Sequence, residues 1–118
     1  AGIFILKAAR LGGLKRTLEV ARAVLKAGRQ VVVTTSLESD VGVAASLHLA
    51  AVLPSQSHAH GLATGLLFVE NLNSSPLLPV NGMMQTPTSS GLGVKVDSNM
   101  LNKYRSDIMG SAGSRFEL

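Results

Sequence analysis

The sequence has no cysteine and no tryptophan, and aromatic residues make up only 3% of its 118 residues. Without cysteine the chain can form neither a disulfide framework nor a thiolate metal site. Charged residues are also scarce, at 15%, against roughly 25% in soluble domains. The longest apolar stretch, residues 41–53, is interrupted by Ser46 and His48 and is too short to span a membrane. Because 46% of the residues are hydrophobic and only 3% are aromatic, the sequence predicts a small domain with an aliphatic core.

The charge balance is mildly basic, with eleven lysines and arginines against seven acidic residues and a net charge of +4. The basic residues are scattered rather than clustered, so the sequence predicts neither a nucleic-acid surface nor a membrane partner. The first residues lack the charged region and cleavage pattern of a secretory signal. We therefore expect a cytoplasmic protein, or a protein of the plastid stroma if the source is a photosynthetic eukaryote.

The first half of the chain predicts regular elements in the order strand, helix, strand, helix. Residues 2–6 are a short apolar run of strand length, and residues 14–26 have the spacing of an amphipathic helix. Gly28 follows where a left-handed helix cap belongs. Residues 30–35 are β-branched and apolar, as in a strand covered on both faces, and residues 41–53 predict a second helix.

The second half is less regular. A third strand is predicted near residues 60–64, and the proline- and glycine-rich stretch beyond residue 71 predicts loops. Within those loops, residues 77–80 and 92–96 are short strand-like pieces, and residues 98–105 predict a helix. We expect residues 110–118 to be frayed.

The spacing of the repeats predicts an α/β fold with a parallel sheet. About 27 residues separate Lys7 from Thr34, which suits one βαβ unit. Two and a half such units cannot close a sheet, whereas eight units, roughly 250 residues, close a barrel. The first strand would have an open apolar edge if the chain stood alone. We therefore expect the chain to be the last third of something larger.

Three segments in order resemble barrel strands of the enolase superfamily, in the muconate cycloisomerase subgroup that includes o-succinylbenzoate synthase. ILKAARLGGL at residues 5–14 resembles the sixth strand, VVVTTSLESDVG at residues 31–42 the seventh, and HGLATG at residues 60–65 the eighth. Residues 78–94 are similar to the return segment that packs on the capping domain of that family. The resemblance implies a partial (β/α)8 barrel over residues 1–70, followed by a return segment and tail over residues 71–118.

The resemblance implies a Mg²⁺-dependent dehydratase of menaquinone or phylloquinone biosynthesis that acts on a small carboxylate through an enediolate. Lys7 matches the sixth-strand lysine, whose ammonium faces the substrate and its developing negative charge. Without the resemblance, a lysine at a strand end is more simply a solvated side chain. The second-strand lysines and the three metal-binding carboxylates of the family have no counterpart here. We expect the Mg²⁺ ligands upstream of Ala1 and this chain alone to be inactive.

Hydroxyl and glycine residues at two further strand ends are candidate substrate-binding positions. Thr34, Thr35 and Ser36 precede a helix, so they either hold a substrate carboxylate or merely form a turn and helix cap. The resemblance favours the first role. Gly61 and Thr64 lie in an uncharged segment, which suits a substrate that carries carboxylates and no amine.

Three other features admit a chemical or a structural interpretation. Gly12 and Gly13 precede a helix, but the phosphate-loop patterns are absent, which favours a tight turn from strand to helix. His58 and His60 alternate along the predicted strand, yet no third metal ligand is near them in sequence. Glu38 by itself is typical of a solvated loop residue; in a barrel it would orient a neighbour or balance the lysine charge, and no catalytic role is predicted for it.

Two alternatives to the synthase stay open. One is an N-acylamino-acid racemase or muconate-type cycloisomerase of the same superfamily. The other is a non-catalytic fragment that docks on the upstream half of a barrel, in the same or another chain. The missing metal ligands and the unprotected strand edge motivate the second alternative.

Overall fold

The computed structural model describes residues 2–55 and 57–105. These residues form two strands, four α-helices and one 3-10 helix, none with the length and apolar character to cross a bilayer. In chain order they are β1 (Ile3–Leu6), α1 (Ala8–Leu11), α2 (Leu14–Lys26), β2 (Gln30–Val33), α3 (Asp40–Ala51), the 3-10 helix (Ala63–Leu67) and α4 (Ser98–Tyr104). The prediction for residues 110–118 lies outside the described ranges.

The two strands pair in parallel, which confirms the predicted βαβ unit. The register runs from Ile3 opposite Gln30 to Leu6 opposite Val33. One further backbone bond, from the Thr34 N–H to the Leu6 carbonyl at 2.9 Å, continues the ladder past the end of β2. Parallel strands need a crossover, and here α1 and α2 supply it.

One face of the sheet is buried against the helices and forms the core. Leu6, Val31 and Val33 lie on this face, and both valines are completely buried. They belong to a cluster that also includes Ala8, Ala21, Leu47, Leu49, Ala50 and Leu62. The cluster is aliphatic throughout, as the composition predicts.

Helix α3 is apolar on nearly every side, and two different parts of the chain contact it. One side packs against β2 and α2. On another, the Nε2 atom of His48 lies 3.2 Å from the Leu92 carbonyl oxygen, within hydrogen-bond distance of the loop-rich tail. This contact connects α3 to the loop around Leu92.

The double glycine connects two helices, whereas the sequence predicted a turn from strand to helix. Helix α1 begins directly after Lys7 and ends at Gly12, which has a φ of 88°. Gly13 follows with a φ of 100° and begins α2. The N–H groups of both glycines donate to the Ala8 carbonyl, so neither is available to an anion. The turn interpretation is therefore favoured over a phosphate loop.

The predicted third strand at residues 60–64 is wrong. The segment makes one parallel bridge, between Gly61 and Thr34, and then turns into the 3-10 helix. A strand inside a barrel is held from both sides, and the described part of the chain offers only β2 as a neighbour. The strand-like pieces at 77–80 and 92–96 are likewise reduced to the isolated bridges Val80–Met83 and Asn73–Val96.

Helix α4 confirms the helix predicted at residues 98–105. The Asp97 carboxylate caps it by accepting from the backbone N–H groups of Asn99, at 2.8 Å, and Met100, at 3.3 Å. At the other end, Lys103 forms an ion pair with Glu70, and the Tyr104 hydroxyl donates to the same carboxylate. These contacts attach the end of the described chain to the loop that follows the 3-10 helix.

The second face of the sheet is open. Ile3 and Ile5, which alternate with the buried Leu6, are 43% and 65% exposed. An apolar strand with an unpaired edge and an uncovered face is a template for association with other chains.

We expect the isolated 118-residue chain to self-associate through this face. Ile5→Lys should raise the monomer fraction in sedimentation velocity, because a charge in the open face opposes its burial. Val52→Lys is the matched control, since Val52 is 66% exposed but lies beyond α3. A clean wild-type monomer with cooperative unfolding would contradict this expectation.

Asp40, the first residue of α3, is completely buried. Neither of its carboxylate oxygens has a hydrogen-bond partner of good geometry among the described residues. Burial raises the pKa of Asp40 above its ordinary 3.8, and the nearby backbone of Leu77 opposes part of that shift. The charged carboxylate therefore destabilises the fold at neutral pH.

We expect Asp40→Asn to stabilise the fold at pH 7 by about 1–3 kcal/mol, because a neutral amide replaces an unpaired buried charge and an unpaired charge costs more to bury than an unpaired neutral group. Because the folded-state pKa of Asp40 is raised, the contribution of this residue to stability is greatest below pH 3.8 and is lost as the pH rises through the folded value. The advantage of the variant should therefore vanish in acid. Thermal melts of wild type and variant across a range of pH test this. Glu19→Gln is the control for the loss of one charge, because Glu19 is exposed on α2. A stability difference between Asp40→Asn and wild type that did not change with pH would refute the expectation.

Candidate active site

The predicted site residues converge where the two parallel strands end. Lys7 follows β1 in extended conformation, with φ −122° and ψ 112°, and so continues the alternation of the strand. Thr35 follows β2, and Gly61 bridges to the same strand end. The carboxyl ends of parallel strands lie on one edge of a sheet, which is where barrel enzymes hold their active sites.

The Lys7 ammonium is fixed by the backbone of the neighbouring strand. Its Nζ atom donates to the Thr35 carbonyl oxygen at 2.6 Å, and the side chain is half-buried. An ammonium has three protons, so this bond leaves two for another acceptor. Lys7 is thus a positioned cation with unused donors, in contrast to a freely solvated lysine.

A small hydroxyl network lies beside it. The Oγ1 atom of Thr35 is 2.9 Å from Oγ1 of Thr64 and 3.3 Å from the Gly61 carbonyl oxygen. Since a carbonyl can only accept, Thr35 donates to Gly61 and accepts from Thr64. The backbone N–H of Thr35 donates to the same Gly61 carbonyl at 3.1 Å. Residues 61–64 are therefore attached to β2 by both main chain and side chain.

Thr34 and Gly61 approach each other closely. A Cβ atom on Gly61 would lie 2.9 Å from Cγ2 of Thr34, so a side chain at position 61 would force the two segments apart. The Oγ1 atom of Thr34 is buried and has no hydrogen-bond partner among the residues described. Thr34 thus lines the site, and its hydroxyl makes no hydrogen bond to the described residues.

Ser36 and Glu38 form a turn that leads into α3. The Ser36 N–H donates to the Glu38 carboxylate, and Leu37 between them has a φ of 61°. A Cβ atom on Gly42 would lie only 2.4 Å from Cβ of Glu38, so glycine is required where the helix passes this turn. Of the two roles predicted for Glu38, this contact corresponds to orienting a neighbour.

The structure brings four of the six predicted residues into one hydrogen-bonded group: Lys7, Thr35, Gly61 and Thr64. Thr34 touches this group through Gly61, and Ser36 belongs to the adjoining turn. The catalytic and substrate-binding roles of all six stay predictions.

Sequence reasoning considered His60 only as a metal ligand and missed what it does. Its Nδ1 atom accepts a hydrogen bond from the Val33 N–H at 3.1 Å. Burial lowers the pKa of His60, which favours the neutral form that can accept. A histidine that replaces a backbone acceptor has no signature in spacing or composition.

The described residues do not fit a magnesium site. Within residues 2–55 and 57–105, no three histidine, aspartate or glutamate side chains lie close enough to share a metal ion. The nearest candidates in chain order are otherwise engaged, since Glu38 accepts from Ser36 and Asp40 is buried beneath the 3-10 helix. Mg²⁺ needs several converging oxygen ligands, which this part of the chain does not supply.

Comparison with known proteins identifies the family. Residues 1–100 match the family described as enolase C-terminal domain-like. The chain belongs to this family. It is 43% identical over 84 residues to o-succinylbenzoate synthase of Mycobacterium ulcerans, and 44% identical to that of Mycobacterium tuberculosis. Each alignment covers 71% of this chain and 24% of the relative, so the chain spans about a quarter of the length of these relatives.

Comparison with solved structures leads to the same superfamily as comparison with the sequence relatives. Muconate lactonizing enzyme from Klebsiella pneumoniae superposes with a TM-score of 0.84 and 34% identity, over 90% of this chain and 30% of that one. Muconate cycloisomerase from Pseudomonas fluorescens gives 0.86 and 30%, over 91% of this chain and 30% of that one. The predicted resemblance to the enolase superfamily and the α/β fold, part of a larger barrel, are therefore confirmed.

We expect the isolated chain to show no stoichiometric Mg²⁺ binding at micromolar metal, because the acidic side chains within residues 2–55 and 57–105 do not converge. Isothermal titration calorimetry tests this directly, with Ca²⁺ as a second hard cation. A saturable site with one ion per chain would refute the expectation.

Proposed function

We propose that this chain supplies the last strands of an o-succinylbenzoate synthase, a carbon–oxygen lyase that dehydrates a small cyclic carboxylate. The names of the relatives, at 43–44% identity, support this assignment. The observation that carries it is the position of Lys7, whose ammonium is anchored to Thr35 at a strand end and keeps two free protons.

The chemistry of the proposed reaction suits such a cation. Removal of a proton next to a carboxylate leaves negative charge on the carboxylate oxygens. An ammonium already held in place stabilises that charge without reorganising, which is the most effective form of electrostatic catalysis. The bond to Thr35 favours a position of the Lys7 ammonium at the strand end over one in solvent, which supports a role for Lys7 at the reacting centre.

The surroundings of Lys7 support a substrate with carboxylates and no amine. Residues 61–65 contain no acidic side chain, and the Glu38 carboxylate is occupied by the Ser36 N–H. Thr34, Thr35, Ser36, Gly61 and Thr64 would then shape the pocket. Their threonine and serine hydroxyls offer neutral donors in place of a charge that would select an amine.

Muconate-type cycloisomerisation is the second candidate, because the similar solved structures include a muconate lactonizing enzyme and a muconate cycloisomerase. Both reactions need a cation near a carboxylate, so Lys7 serves either one. The two substrates differ in shape, so turnover of each one distinguishes the two reactions.

The remaining strands of the barrel are the proposed partner, in the same chain or in a second one. The open face formed by Ile3 and Ile5 requires cover, and the described residues hold no magnesium site. We infer that the Mg²⁺ ligands and the opposing lysines come from that missing part. If it were lost altogether, the chain would be a non-catalytic fragment. A cytoplasmic location stays a prediction.

In the complete barrel we expect Lys7→Ala to lower kcat by about 10³, equivalent to about 4 kcal/mol of transition-state stabilisation. Lys7→Arg should restore little, because a planar guanidinium does not fit a site shaped for a point charge. The melting temperature should change little in either variant, since Lys7 is only half-buried.

Steady-state kinetics with a cyclohexadiene carboxylate and with a muconate decide between the two candidate reactions. Lys15→Ala is the matched control, as it removes a lysine from the exposed side of α2. Near-normal turnover in Lys7→Ala with both substrates would overturn the proposal.

A further inference from the structure

His60 takes the place of a missing strand carbonyl. In a parallel ladder, the residue whose carbonyl accepts from Gly61 donates its own N–H to the carbonyl of residue 59. Val33 fulfils the first half of this pattern, since its carbonyl accepts from the Gly61 N–H at 2.9 Å. Its N–H, however, donates to the His60 ring at 3.1 Å. The imidazole thus completes the ladder where the main chain has not yet become a strand.

This contact defines the chemical form of the ring. A nitrogen that accepts a hydrogen bond cannot carry a proton, so Nδ1 is bare and the proton of the neutral ring is on Nε2. Val33 is completely buried, so loss of the acceptor would leave a buried N–H without a partner. The bond therefore stabilises the fold, and it exists only while His60 is neutral.

The surroundings favour the neutral ring. Burial is what shifts His60, and no charged side chain of the described residues contributes. Three uncharged residues of β2 and its end face this segment: Gln30, Val33 and Thr34. His58, two residues earlier, is the other titratable side chain of the segment and is exposed.

The bond is directly connected to the candidate active site. Gly61 follows His60, and its carbonyl accepts both from the N–H and from the hydroxyl of Thr35. The Thr35 carbonyl in turn accepts from Lys7. A shift of Gly61 would therefore move the group that anchors the ammonium.

We propose that neutral His60 is a positioning residue: through the Val33 N–H it fixes Gly61, and through Gly61 it fixes Thr35 against Lys7. The consequence for catalysis depends on the proposed function, whereas the hydrogen bond and its effect on Gly61 do not. His60 is not a catalytic residue in this scheme, because its bond is to the backbone.

Two substitutions that place an acceptor atom at different distances from the backbone distinguish this role from simple packing. In His60→Asn the side-chain Oδ1 atom occupies the place of Nδ1 and can accept from Val33 without titrating. In His60→Gln the acceptor lies one atom further out and misses that place. His58→Ala is the control, since it removes an exposed imidazole from the same segment.

Nuclear magnetic resonance of the complete barrel, labelled with ¹⁵N, provides a readout that needs no activity. We expect Nδ1 of His60 to be unprotonated and the Val33 amide to be strongly protected from hydrogen exchange. Its protection factor should fall by about tenfold or more in His60→Gln and stay near the wild-type value in His60→Asn and His58→Ala. In the wild type it should fall when His60 is protonated in acid, and in His60→Asn it should not.

Activity then tests the connection to Lys7. We expect kcat to fall in acid with the same midpoint as the Val33 protection factor, and this acid limb to be absent in His60→Asn. A proton on Nδ1, or equal Val33 protection in His60→Gln and His60→Asn, would overturn the proposal. If the magnetic resonance results are as expected but neither carboxylate substrate is turned over, the proposed function fails and the positioning of Gly61 by His60 stands.

Discussion

The parallel pairing of β1 with β2 is the interaction on which the rest of the structure depends. It buries Leu6 and Val33 on one face and aligns the two strand ends, so that Lys7 reaches the Thr35 carbonyl. A register shift of one residue would exchange the two faces, exposing the aliphatic core and turning Lys7 toward the helices. Core and site are thus set by one register, which explains why a short two-stranded sheet can position a cation accurately.

The regular elements could be predicted from sequence because their signals are local. Amphipathic spacing predicts α2, and β-branched residues predict β2. Helix α1 has only four residues and depends on Gly12 to end it, so no periodicity marks it. The strand predicted at residues 60–64 failed for a different reason: pairing on both sides is a tertiary condition, and the local pattern cannot report whether a second neighbour is present.

The candidate site likewise has some features that the sequence predicts and others that only the structure shows. Lys7 and the threonines at the end of β2 follow from the position of strand ends and from the family resemblance. The bonds among them do not, because which atom donates depends on distances of a few tenths of an ångström. His60 is the clearest case, since its ring acts as a main-chain acceptor at Val33. Asp40 is another, because a residue in the first turn of a helix is usually solvated, whereas this one is completely buried.

The unsatisfied features of the sheet lie on one side. Ile5 and Lys7 alternate along β1 and so share a face, and the register places Thr34 across from Lys7 on that same face. Ile5 is exposed, Lys7 keeps two unused protons, and the Thr34 hydroxyl has no described partner. The open apolar surface and the available donors of the described residues are therefore next to each other. A partner that covered this face, as proposed above, would therefore also enclose Lys7, so that completing the barrel would complete the proposed active site in the same step.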